Sequence, residues 1–498
     1  MQRKTLLQAF ILGFGQITGK ILSLVFLFRF ANDLGSMGLT LYTYAYIPFS
    51  IFSDLSQFGL IPGTSKAVSA LVANNEKNKA YYLLKKGTIL CIIIGVFFFL
   101  FMLFFSRQIL SISLFEDIDA NSFEEIRINL LLASLALFIV PLVQFLKGFL
   151  QGLMKMYPTC IAIILEYLTR LILYVSLVNT LNTANDIIHS VFLMYFAGHL
   201  VSLVFLFSFA FKYYRKSGLK FNSIKYLLKI SIPYGIATMF FTIYQLVDSI
   251  TLSVLMPIEG YYTAYMFETI RLIFLPIILA QSLGGALNPR INYLYQENKK
   301  DEASSIAGKS TQIIIYILVP LIIIMKYFSK DIYNLFYSQE NGNIILFHIA
   351  DLILFFGLYK VLIGISFGLA RSNYMIIATI LSGIAKYILN YLFIPRLGYQ
   401  GAIYATMISI SICICVSYYI LHKEGINIFL KNLKALFLAV IGGIVSISLV
   451  IIFRMVFYLK SYPNYLSVIL YSILLLGIYY LIFLFIKIIL YNKKEINA

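Results

Sequence analysis

Lys20, Arg29, Lys147, Arg170, Arg271, Lys360, Lys386 and Arg454 each stand inside a run otherwise apolar enough to cross a bilayer. Acids in comparable places are fewer: Asp54, Glu166, Asp248, Glu268 and Asp351. A charged side chain at the bilayer centre costs at least ~3 kcal/mol, so each needs a compensating role. Surplus Lys and Arg held away from water suit an anion, because the guanidinium fork and the ammonium point charge both match phosphate oxygens. A site for cationic drugs would instead concentrate acids at the midplane. At about 1.5 Å of rise per residue, Lys20, Arg170 and Lys386 fall near the midplane, and Arg29, Asp248 and Arg271 in the outer third.

Several of these charges have a local explanation. Glu166 and Arg170 are four apart on one helix, the spacing of an ion pair. Asp248 is at a depth that makes it a partner for Arg271. Lys147, Lys360, Arg29 and Arg454 lie close enough to helix ends to snorkel, and Glu268 and Asp351 are expected to be solvated near the outer ends. No acid lies within a helical turn of Lys20, which makes it, with Arg271, the leading ligand for an anion. The full candidate set for substrate is Lys20, Arg271, Arg170, Lys386 and Arg29, with Asp54, Glu166 and Asp248 as coupling or pairing acids.

The elements that must position these residues are membrane spans. The chain is 61% hydrophobic and only 12% charged over 498 residues, about half the charge of a soluble protein. Apolar runs recur from end to end, giving an all-α polytopic membrane protein with about fourteen spans. Two of these are 39–61 and 464–490. The net charge of +18 is read by side of the membrane rather than as nucleic-acid binding. Lys66, Lys77, Lys79, Lys85 and Lys86, the cluster from Lys212 to Lys229, and Lys423, Lys431 and Lys434 fall in alternate loops. The intervening loops are poor in base, and the longest, 106–127, is acidic. Both termini are therefore expected in the cytoplasm.

The chain also repeats itself. Gly148 to Leu173 and Gly364 to Leu389 align with Gly148 on Gly364, Gly152 on Gly368, Lys155 on Arg371 and Arg170 on Lys386. Paired glycines and paired bases are informative in such an apolar background. The register makes the unit six helices, so both copies have the same orientation about an axis along the membrane normal. The expected lobes are 1–215 and 220–425, followed by an additional transmembrane pair and tail at 430–498. Two such lobes around a shared central space form a transporter plan. The Gly-x-x-x-Gly pairs are expected at helix contacts.

Other chemistries find no footing. Cys91, Cys160, Cys413 and Cys415 lie in apolar helices without disulfide or metal spacing, and the four histidines are scattered. There is no phosphate-binding loop, no nucleophile triad and no zinc motif, so neither an enzyme, a cofactor nor ATP hydrolysis is expected.

Gly19-Lys20-Ile21-Leu22 followed by Asp33-Leu34-Gly35 resembles the first-helix signature of bacterial polysaccharide and lipid-linked sugar exporters. So do Leu55-Ser56-Gln57-Phe58-Gly59 leading to Ser65-Lys66, Asn288-Pro289-Arg290-Ile291, and Gly398-Tyr399-Gln400-Gly401-Ala402. Over most of 6–425 the chain resembles the multidrug/oligosaccharidyl-lipid/polysaccharide (MOP) exporter superfamily, nearest the stage V sporulation protein B and lipid II flippase branch or the O-unit flippases. The resemblance implies alternating access in the bacterial cytoplasmic membrane, moving an undecaprenyl-diphosphate-linked saccharide from inner to outer leaflet. Lys20 and Arg271 look like the family's cavity arginines on helices one and eight. The second helix-one arginine of that branch would fall nearer Leu27 than Arg29. The final helix pair resembles the pair that forms a groove for the lipid tail. Partners implied are the lipid-linked saccharide and membrane lipids, with no nucleic acid, and the chain is expected to act as a monomer. The rivals are a multidrug antiporter of the same superfamily, with an acid carrying the coupling cation, and a non-transporting scaffold for glycan synthesis.

Overall fold

The computed structural model describes residues 2–113, 120–181, 183–214, 222–256, 259–337, 342–369, 372–457 and 470–481. Nearly all of these residues are helical, with no strand among them. Ten described helices are long and apolar enough to cross a membrane, or up to twelve if each of two bent pairs is one span. Two further sequence-read spans fall elsewhere. Span 39–61 lies largely in the second half of a 55-residue helix, and 464–490 is described only as the short apolar helix Leu470–Leu481. The lobe boundary expected at 215–220, the acids Glu116, Asp117 and Asp119, Arg371 and the Arg454 side chain lie outside the described residues.

The chain divides into two compact units. The first comprises Met1–Phe267 and Thr379–Gly398. It holds α1 (Gln2–Ser56), α2 (Leu60–Ala73), α3 (Lys77–Ser113), α4 (Ala120–Gly152), α5 (Met156–Leu177), α6 (Ala184–Phe211), α7 (Ser223–Thr238), α8 (Phe240–Leu255) and α9 (Glu259–Thr263). Two glycines of the signature motifs set the path here. Gly35, at φ 67°, breaks α1, and Gly59, at φ 60°, starts α2; both conformations favour a residue without Cβ. A Cβ on Gly59 would come within 2.3 Å of the Ser231 carbonyl oxygen, so the α2–α7 approach also depends on it. The apolar core joins Val68 and Leu71 of α2, Leu83 and Leu84 of α3, Phe145 and Phe149 of α4, Leu206 of α6 and Leu227 of α7.

The second unit comprises Glu268–Ala378 and Tyr399–Ala498. Its helices are α10 (Ile270–Gln296), α11 (Lys300–Tyr327), α12 (Ser329–Phe336), α13 (Gly342–Ile349), α14 (Leu352–Gly368), α16 (Tyr399–Lys423), α17 (Phe429–Phe457) and α18 (Leu470–Leu481). α15 (Ser372–Leu397) begins in this unit and continues into the first. The division between units also falls inside a π-helical turn, Ala264–Thr269, directly before α10. Within the second unit α11 is the platform for the terminal pair: Val319 packs with Ala435 and Ala439 of α17, and Ile324 with Tyr471 and Leu475 of α18.

The duplicated glycines do the same work in each copy. A Cβ on Gly148 would lie 2.7 Å from the Ile61 carbonyl oxygen, and one on Gly152 2.6 Å from Val68 Cβ, so α4 rides against α2. In the second copy a Cβ on Gly364 would lie 2.2 Å from the Gly284 carbonyl oxygen, and one on Gly368 2.8 Å from that of Asn288. That places α14 directly on α10. Lipid tails are as apolar as the helices, so backbone approach of this kind drives association where hydrophobicity cannot.

Candidate functional site

The buried charges of the first unit form two clusters. In the first, Glu166 and Arg170 project from one face of α5, and Arg170 Nη2 donates to Glu166 Oε1 at 2.7 Å. This is the pair that the spacing of four predicts. Two partners invisible to that spacing complete it. Lys147, from α4, donates to Glu166 Oε2 at 3.2 Å. His199, from α6, places Nδ1 3.0 Å from Arg170 Nη2 and 2.8 Å from the Tyr195 carbonyl. The guanidinium also lies 4.3 Å from the centroid of the Tyr195 ring, a cation–π contact. Lys147 was expected to snorkel; its side chain is only 6% exposed and points inward to Glu166. A single carboxylate draws it there more strongly than the nearest water.

In the second cluster Lys386 Nζ, from α15, lies 2.7 Å from Asp248 Oδ1 on α8. Asn390, one turn further along α15, donates to Asp248 Oδ1 at 2.9 Å and to Thr251 Oγ1 at 2.7 Å. The Tyr265 hydroxyl donates to Asp248 Oδ2 at 3.2 Å. Asp248 was read from its depth as a partner for Arg271; the carboxylate is held by Lys386 instead. Depth along a helix does not report the direction in which a side chain points. Arg170 and Lys386, aligned by the duplication, thus each meet a buried carboxylate.

The remaining candidates are arranged differently. Lys20 is an exposed residue of α1. Arg29, 57% exposed, pairs with Asp33 at 3.1 Å, and the Tyr174 hydroxyl donates to the same carboxylate at 2.8 Å. Asp54 accepts from Gln57 at 2.9 Å and from Thr242 of α8 at 2.8 Å. In the second unit Arg271 is half-buried near the start of α10. Asp351 pairs with Lys326 at 2.6 Å and keeps 41% exposure. Glu268 departs from the expectation of solvation: it is fully buried, with the Tyr333 hydroxyl donating to Oε2.

Outside the spans, Lys155 at the α4–α5 turn donates to the Tyr213 hydroxyl. That bond raises the ammonium above its ordinary pKa. No group of three or more metal-ligating side chains occurs among the described residues. His199 is the residue sequence reasoning passed over, and Glu268 the one it placed in water. Only the rarity of polar groups in such runs could have marked them.

This arrangement suits a transporter whose cations serve two ends, some neutralised within the helix packing and others at accessible positions. Similarity to known proteins agrees. The family described as polysaccharide biosynthesis protein matches residues 6–294, and that described as lipid II flippase MurJ matches 171–476. The lipid II flippase MurJ of Bacillus subtilis (strain 168) is 22% identical over 504 residues, covering 93% of this chain and 91% of the relative. A solved structure of a lipid II flippase MurJ in an inward closed conformation superposes with a TM-score of 0.68 at 17% identity, covering 95% of this chain and 98% of that one. An inward-facing multidrug resistance MATE family transporter of the MOP superfamily also reaches 0.68, at 14% identity, over 83% of this chain and 94% of that one. With both family matches spanning more than half of its length, the chain belongs to the lipid II flippase MurJ family of polytopic membrane proteins.

Proposed function

We propose that this protein moves an undecaprenyl-diphosphate-linked saccharide, lipid II or a polysaccharide repeat unit, from the inner to the outer leaflet by alternating access. The observation that carries the reading is the chain-long match to a lipid II flippase, which covers 93% of this chain. Lys20 and Arg271 are the proposed ligands of the diphosphate. Arg170 and Lys386, each engaged with a carboxylate at 2.7 Å, tune the field around the headgroup, and Arg29 and Asp33 form an accessible polar pair. The repeat lobes 1–215 and 220–425 are the proposed moving parts, with 430–498 as an added pair, a monomeric assembly and both termini in the cytoplasm.

The energetics favour this cargo. A headgroup with two negative charges leaving a negative-inside cell gains roughly 4–5 kcal/mol per 100 mV, so flipping can be biased without ATP. Reconstitution in liposomes tests the proposal. With a potential imposed, a fluorescent undecaprenyl diphosphate sugar should become accessible in the opposite leaflet. Efflux of cationic drugs with no lipid movement would replace this reading with that of a multidrug antiporter. Transport that survives replacement of every embedded charge would remove the site altogether.

A further inference from the structure

Glu268 is fully buried in the second unit, three residues before Arg271 and inside the π-helical turn that precedes α10. Its Oε2 accepts from the Tyr333 hydroxyl. Its Oε1 is buried with no hydrogen-bond partner among the described residues. Tyr333 is itself fully buried and fixed in place. A Cβ on Gly342 would overlap its ring at 1.9 Å, so the glycine at the start of α13 makes room for the phenol. Tyr337 follows with its ring centroid 5.5 Å from that of Tyr333, and its buried hydroxyl also lacks a partner among the described residues.

Among the described residues the hydrogen-bond donor to this carboxyl is the Tyr333 phenol, with the Tyr337 ring beside that of Tyr333. On the flanking helices Lys326 of α11 pairs with Asp351 at 2.6 Å, His348 of α13 lies 3.1 Å from Gln400, and on α12 Lys330 is exposed and Asp331 half-buried. Arg271 follows one turn along the same helix. No cation among the described residues forms an ion pair with Glu268. A carboxylate so buried, with one donor and a bare oxygen, is far costlier than the neutral acid.

We propose that Glu268 is a proton-binding site, loaded in the conformation described here and discharged to water during the transport cycle. This rests on the flippase reading above and deepens it. A neutral Glu268 leaves the charge of Arg271 undiminished for an anionic headgroup. Loss of the proton places a carboxylate one turn away and weakens the hold on the headgroup. The proton leaves as hydronium and the carboxylate remains on the protein, so the step needs no further reactant.

Two measurements on the full-length protein test this. Infrared difference spectroscopy of wild type against Glu268→Gln at neutral pH should show a protonated-carboxyl C=O band present only in wild type. Its absence from wild type, or its persistence in the variant, overturns the proposal. Tyr333→Phe keeps the carboxyl and removes its donor, so the same band should shift; an unmoved band is equally fatal. In liposomes carrying a fluorescent undecaprenyl diphosphate sugar, wild-type flux should change several-fold with an imposed pH gradient, and Glu268→Gln flux should not. Wild-type flux indifferent to the gradient overturns the coupling. A carboxyl band behaving as described with no lipid movement refutes the flippase reading and leaves the proton site standing.

Discussion

Lys386 Nζ stands 2.7 Å from Asp248 Oδ1, the lysine side chain wholly buried and the aspartate 5% exposed. A pair so far from water holds together only while both members are present. Removing one leaves a bare charge, at a cost of about 3–5 kcal/mol, whereas replacing both with apolar groups is often close to neutral. Asp248→Ala should therefore lower the thermal midpoint in detergent far more than Asp248→Ala with Lys386→Met. Equal destabilisation by the single and the double variant would show that the pair is not coupled.

Glu166 is shared by Lys147, Arg170 and His199, so its loss should exceed the loss of any one partner. Glu166→Gln strands two buried cations, about 3–5 kcal/mol. Arg170→Met leaves the carboxylate with Lys147 and should cost ~1–3 kcal/mol. Thermal unfolding of the two purified variants ranks them, and the reverse order would contradict a carboxylate-centred cluster.

Lys20, exposed on α1, is a functional rather than a packing residue in the proposed mechanism. Lys20→Ala should reduce lipid flux by roughly tenfold or more, the equivalent of one lost charged hydrogen bond of ~1.5–3 kcal/mol, at unchanged protein abundance. Lys20→Arg should restore part of it. Arg29→Ala disrupts a pair whose arginine is 57% exposed, and its stability should move by less than about 1 kcal/mol. Flux assays with immunoblots separate the two effects.

Gly59 combines a left-handed φ of 60° with a neighbour 2.3 Å from any added Cβ. Gly59→Ala should cost about 1–2 kcal/mol in backbone strain and a further 1–3 kcal/mol in overpacking. Gly13, inside α1 with nothing within 4 Å of an added Cβ, is the control: Gly13→Ala should be neutral or stabilising by up to about 1 kcal/mol. Fluorescence-detected gel filtration after graded heating would compare them.

The contrast between these residues explains what could be read in advance. Apolar runs announced the helices, and the repeated glycines at 148, 152, 364 and 368 announced close contacts, since a missing side chain has few other uses in a lipid-facing helix. The Glu166–Arg170 pair was legible because both ends lie on one helix. Lys386 and Asp248 were not, because their pairing depends on the rotation of two helices about their own axes. Hydropathy measures depth only. Glu268 was misplaced for a related reason: counting rise from a helix end assumes water beyond it, whereas Tyr333 closes over the carboxyl.

The wide turn at Ala264–Thr269 has one more consequence. A π turn accommodates a residue that an ordinary turn would not, and each α-helical residue advances the bearing of its side chain by about 100°. The compass heading of Arg271 is therefore a matter of residue count upstream of it. Deleting a single uncharged amino acid within that turn would swing the guanidinium to another quarter of the helix while leaving every charge in the protein unchanged.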